Sequence, residues 1–174
     1  MTDSDDKARF HRHNDALWHV GALLFNWGRL ETQLTYSIVT MNPTVAGPHI
    51  NPKNVARALE AILNKWLTVY CETTGAQIPQ AKALKQAIFD ASRDRNNICH
   101  GFSGVVVSPS DYTVGCWEAY HRNRMTGGFP PQRFYKRDDF TKMCGDLGHF
   151  WDEVARLTQV AIARPRKPRA PKAK

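Results

Sequence analysis

The sequence predicts a mainly α fold: a four-helix bundle with a small β-hairpin or three-strand insert before the last helix. Three observations carry this. Four segments repeat apolar residues at spacings of three and four. Pro and Gly residues separate them, notably Pro43, Gly47, Pro48 and Pro52, then Gly75 and Pro79, then Gly101. Between the third and fourth helical segments, at about 102–137, the chain turns to valines and aromatics around turn residues.

The first helix is predicted over 14–41, capped by Asn14 or Asp15. Its stripe is Leu17, Val20, Leu24, Trp27, Glu31, Leu34, Ile38 and Met41. The second runs from about Pro52 to Thr74. Asn51 is its N-cap, Pro52 its first residue and Gly75 its stop. Its stripe is Val55, Leu59, Ile62, Trp66 and Val69. The third starts near Pro79 and ends at His100, with Gly101 as a C-terminal stop. Val105–Val107, a Ser-Pro-Ser-Asp turn at 108–111, and Tyr112–Tyr120 form the predicted hairpin. Pro131–Lys136 offers a third short strand. The last helix spans Asp138 to about Ala163, capped by Asp138 or Asp139, with Phe140, Met143, Leu147, Phe150, Trp151, Val154, Leu157 and Ala161 on its apolar face. No internal repeat is present.

The chain has 174 residues, 42% of them apolar, which suits one domain with a real core over 1–163. The formal charge of +8 is concentrated at the end. Residues 164–174 hold six Lys/Arg and no acid, whereas 1–163 carry 18 basic and 16 acidic groups. The Pro-rich tail is expected to be a disordered basic arm, either a holder of polyanions or a solubilising segment. No run of about 18 apolar residues occurs, so no membrane span or membrane partner is expected. The acidic start (Asp3, Asp5, Asp6) is unlike a signal peptide, and a cytoplasmic location is expected. Cys71, Cys99, Cys116 and Cys144 are scattered without a CxxC pair, which points to reduced thiols.

Two charges fall inside apolar stripes. At about 100° per residue, Leu84, Ile88, Ala91, Ile98 and Cys99 all lie within roughly 60° of Arg95. Glu31 is equally central in the first helix. A buried charge is normally paired, so Glu31 and Arg95 are expected to face each other. Such a pair either serves a site or only fixes helix register. The segment Arg95-Asn96-Asn97-Ile98-Cys99-His100 then sets a permanent cation five residues before an imidazole. His100, Asn96, Asn97 and Arg93 share one helical face. His100 sits where a helix C-terminus favours a cation. Its alternative role is that of an ordinary surface histidine.

Arg95, Asn96 and His100 closing a helix, with Gly101 behind them, resemble the motif of the HEPN superfamily (higher eukaryotes and prokaryotes nucleotide-binding). Residues 26–31, Asn-Trp-Gly-Arg-Leu-Glu, are similar to the first-helix pattern of some of its members. The resemblance covers roughly 14–101 and 138–163, and the β insert departs from the minimal bundle. It implies a homodimer in which two motifs face each other. It also implies a metal-independent endoribonuclease in a toxin–antitoxin or phage-defence setting, with an antitoxin or regulatory protein as a possible partner. On this resemblance Arg95 binds the scissile phosphate, His100 moves protons, Asn96 orients His100 or the phosphate, and Glu31 holds Arg95. Some members are inactive binding modules, which is the alternative here.

The insert speaks for RNA separately. From Ala119 to Lys136 there is no acid, and cations alternate with aromatics. Arg93, Arg122, Arg124, Arg133, Lys136 and Arg137 are the candidate nucleic-acid contacts, with Tyr120, Phe129, Phe134 and Tyr135 as stacking surfaces. The alternative is that the aromatics pack on the bundle and the cations are solvated. Other chemistries lack support. His11 and His13 lie in a polar N-terminus. His149 and Glu153 make no H-E-x-x-H. Cys99 and His100 diverge as helix neighbours, and Gly127-Gly128 is a turn. No metal site and no cofactor are expected.

Overall fold

The computed structural model describes residues 3–42, 58–75, 79–108, 110–118 and 131–163. These are mainly helical: four helices, with a small antiparallel sheet before the last. The order is α1 (Asp3–Met41), α2 (Ala58–Thr74), α3 (Pro79–Gly101), β1 (Phe102–Val107), β2 (Tyr112–Trp117), β3 (Gln132–Lys136) and α4 (Arg137–Ala163). The sheet order is β1-β2-β3, with Val105 opposite Val114 and Val114 opposite Tyr135. No helix among the described residues is long and apolar enough to cross a membrane. The predicted start of the second helix at Pro52, the Gly127-Gly128 turn, Arg122, Arg124 and the basic tail lie outside the described residues.

Local chemistry accounts for the boundaries. Gly75 adopts φ +68°, and its N–H donates to the Cys71 carbonyl at 2.9 Å, so α2 ends in a left-handed glycine as expected. The Asp139 carboxylate accepts the Lys136 backbone N–H at 2.8 Å. That acid, three residues past Lys136, reaches back over the first turn of α4 as in a capping box.

Two expectations about α1 are corrected. It starts at Asp3, so Asn14 and Asp15 lie inside it and cap nothing. No Pro or Gly occurs between residues 3 and 20, and the acidic start complements the helix dipole. The first half of the buried stripe also takes the other phase, whereas Trp27, Leu34, Ile38 and Met41 are buried as expected. Ala16 and Leu23 are buried, whereas Leu17 and Leu24 are exposed. Apolar residues stand side by side at 16/17 and at 23/24, so spacing alone admits either choice.

The chain divides into two compact units. The first comprises Met1–Gly28 and Asp90–His149. Its core holds Leu23, Trp27, Ile98, Tyr112, Val114, Tyr135, Phe140 and Leu147. The second comprises Arg29–Phe89 and Phe150–Lys174. Leu30, Leu34, Ile38, Leu63, Trp66, Tyr70, Ile88, Val154 and Leu157 fill its core. There the Trp66 indole N–H donates to the Ser37 hydroxyl at 2.9 Å, Ser37 bonds Thr158, and Thr158 donates to the Val154 carbonyl at 2.6 Å.

Candidate functional site

The last three turns of α3 belong to the first unit and carry the motif. Arg93 and His100 are exposed, Arg95, Asn96 and Cys99 are half-buried, and Asn97 and Ile98 are buried. Helical periodicity puts Arg95 on the face of Ala81, Leu84, Ile88 and Ser92, all buried. That agrees with its predicted place in the stripe. Its full burial is corrected: the residue is half-buried. Its Nε is sealed from solvent and has no hydrogen-bond partner. Nη1 donates to Asn96 Oδ1 at 3.0 Å. Asn96 therefore holds the guanidinium tip. Glu31, half-buried, belongs to the other unit, and its backbone carbonyl accepts a hydrogen bond from Thr35.

His100 follows Asn96 by one helical turn. Among the described residues, no hydrogen bond fixes its ring. The residue behind it is set by sterics. Gly101 is buried, and a Cβ there would collide with the backbone carbonyl of Trp117. The expected left-handed stop is thus corrected. Gly101 has no positive φ; it is the last residue of α3 and is needed for close approach to β2. The helix passes straight into β1 at Phe102.

β3 brings further groups to α3. The Tyr135 hydroxyl donates to Asp94 Oδ1 at 2.9 Å and accepts from Asn97 Nδ2 at 3.3 Å. Burial pushes the phenol well above its ordinary pKa. The Asn97 hydrogen bond works against that, and the Asp94 charge adds to it. Arg133 Nε donates to Glu118 at 2.8 Å, and its Nη1 lies 3.7 Å from Asp94. Arg137 Nη2 donates to Asp15 at 3.1 Å and lies over the Tyr112 ring, 5.9 Å from its centroid. Burial pushes the Tyr112 phenol up to about 12, against the pull of the Arg137 cation.

These contacts sort the sequence candidates. Arg133 and Arg137 are engaged by carboxylates of their own unit. Arg93 and Lys136 are exposed. Of the aromatics, Tyr135 is buried, as the packing alternative held, and Phe134 is exposed. Sequence reasoning missed Asp94, Tyr135 as a hydrogen-bonding partner, and the inward role of Asn97. One signal was present: Asp94 and Asn97 are three residues apart and so share a helical face. Chemically, the end of α3 offers a held guanidinium for an anion and an accessible imidazole for proton transfer. No family model, no curated protein and no solved structure matches the chain.

Proposed function

We propose that this chain is a HEPN-like, metal-independent endoribonuclease. The observation that supports it is the pairing of the Arg95 guanidinium with Asn96, one turn before an exposed His100. In this reading Arg95 binds the scissile phosphate and stabilises the charge that builds on it. The 2′-oxygen attacks phosphorus, and the bond from phosphorus to the 5′-oxygen breaks. His100 takes the 2′-hydroxyl proton and returns a proton to the leaving 5′-oxygen. The products are a 2′,3′-cyclic phosphate and a 5′-hydroxyl. DNA lacks the nucleophile and stays intact. Asn96 positions Arg95. Two copies work with their motifs facing, in the cytoplasm, in a toxin–antitoxin or defence setting.

The test is incubation with RNA in excess chelator. Cleavage to 2′,3′-cyclic ends is expected, with a loss of about 100-fold or more in Arg95→Met and in His100→Ala. Equal cleavage by His100→Ala overturns the assignment.

A second reading is a non-catalytic nucleic-acid-binding or regulatory module on the same scaffold. The absence of a hydrogen bond orienting His100 among the described residues favours it, because a general base is ordinarily oriented by a partner. Salt-dependent RNA binding that survives Arg95→Met, without cleavage, decides for this reading.

A further inference from the structure

Successive side chains of a strand point to opposite faces of its sheet. In β3 the inner face is occupied: Tyr135 is buried and bonds Asp94 and Asn97 of α3. Gln132, Phe134 and Lys136 stand on the opposite, outer face, and all three are exposed. The register sets Phe134 beside Gly115, with Gly104 beyond it on β1. A Cβ on Gly115 would meet Ser103 Oγ at 2.9 Å, Gln132 Nε2 at 3.0 Å and Phe134 Cε1 at 3.6 Å. One bare backbone position thus gathers a hydroxyl, an amide and a ring above it. A Cβ on Gly104 would meet nothing within 4 Å, so no side chain walls the group off on the β1 side.

The amide, the ring and the cation each keep capacity for a further contact. Phe134 is 59% exposed although its ring edge lies over Gly115. The Gln132 amide gives one N–H to Ser103 Oγ at 2.8 Å. Among the described residues its second N–H and its Oε1 make no hydrogen bond, which leaves a donor and an acceptor side by side. The Lys136 ammonium makes no ion pair among the described residues, and it is the one charge of the described strands on this face. Along β3 the amide, the ring and the cation follow one another at intervals of about 7 Å.

That order selects the occupant. A nucleotide carries an edge of donors and acceptors, a π-face and an anion in one unit. A hydrophobic protein partner needs a contiguous apolar area, and here a single ring stands among a serine, a glutamine, a lysine and two glycines. A lipid headgroup brings the anion but no planar face. A duplex keeps its bases stacked on each other, so the base must be unpaired. Ser103 follows His100 by three residues, at most about 11 Å along the chain, so one strand can touch both.

We propose that the outer face of the sheet is a recognition subsite for one unpaired nucleobase. The base stacks on Phe134, pairs its edge with the Gln132 amide and leaves its phosphate to Lys136. The subsite rests on the nucleic-acid part of the reading above and needs no cleavage. Phe134-dependent binding without RNA cleavage defeats the ribonuclease reading alone. RNA cleavage with binding indifferent to Phe134 defeats this inference alone.

A short single-stranded oligodeoxynucleotide carrying 2-aminopurine tests it with the full chain. It lacks the 2′-hydroxyl, so binding is read without cleavage. Its fluorescence is expected to be quenched on binding, as the base stacks. Phe134→Leu keeps bulk over Gly115 and removes the π-face. It should keep the helical circular dichroism and weaken binding by about 10-fold, whereas Phe134→Tyr should retain the affinity. Lys136→Ala should lower the slope of log affinity against log salt by about 0.7. Gln132→Ala should leave the quenching and level the affinities for different bases. The basic tail is the same in every variant, so these differences belong to the sheet. Binding by Phe134→Leu within about two-fold of wild type overturns the inference. So does an unquenched complex, or no binding of the oligonucleotide at all.

Discussion

In the second unit a buried indole N–H, two hydroxyls and a carbonyl form one chain: Trp66 to Ser37 to Thr158 to Val154. Its direction is forced. The indole only donates and the carbonyl only accepts, so Ser37 must donate to Thr158. In the first unit the polar groups reach toward carboxylates, and the Nε atoms of Arg95 and Arg137 are buried without a partner. A buried donor without a partner costs about 1–3 kcal/mol. The second unit thus closes these four groups into one chain within its core. The other keeps guanidiniums at the edge of its core, where their outer nitrogens meet side chains near the surface. The difference teaches where to look for chemistry, because a buried donor left open at a rim is a better candidate than a closed chain in a core.

The sharpest way to break the first unit alone is Gly101→Ala. Its Cβ has nowhere to go against the Trp117 carbonyl, so α3 and β2 must separate. A loss of about 3 kcal/mol in urea unfolding is expected, with faster amide exchange at 112–117 than in α2. An unchanged midpoint contradicts the close approach described above.

Next is the pH dependence. The Tyr112 phenol, at about 12 when folded against 10.0 unfolded, favours the neutral form in the folded state. Its stabilising contribution is full below pH 10 and is lost as pH rises from about 10 to about 12. The loss amounts to about 2 kcal/mol. Tyr112→Phe should flatten this part of the alkaline unfolding curve. A curve identical to wild type contradicts the assignment.

The smallest effect belongs to the other unit. Ser37→Ala removes the middle of the polar chain and leaves the Trp66 N–H without its acceptor. A loss of about 1.5 kcal/mol is expected, with no pH dependence between 6 and 9. Exchange should quicken in α2 and the end of α4 and stay unchanged at the sheet.

Much of the fold was legible because its signals are local. Pro79, Gly75, the valines at 105–107 and the Asp138-Asp139 pair mark their own boundaries within a residue or two of the observed ones. The phase of the first half of α1 was not legible, because the pairs Ala16/Leu17 and Leu23/Leu24 satisfy the helical period in either setting and only tertiary packing chooses; from Trp27 to Met41 the expected stripe is the buried one. The motif itself was legible as a spacing. Its surroundings were not. Tyr135 lies 41 residues from Asp94, and the Gly101 requirement comes from a backbone carbonyl sixteen positions on. Neither leaves a trace in periodicity. Arg95 shows both sides: its stripe position predicted burial, while its side-chain length, which spacing ignores, brings the guanidinium to Asn96.

The direct passage from α3 into β1 makes the histidine a gear tooth with no slack. Helix phase and strand register are locked together by Gly101 against Trp117. One residue inserted between Ile98 and Gly101 has no loop to absorb it. It must turn the imidazole by about 100°, slip β1 by one position and reverse its two faces, or be taken up at the register irregularity between Phe102 and Gly104. A deletion there does the same in the opposite sense. Length changes at the junction that carries the candidate proton carrier are therefore felt in both the helix and the strand.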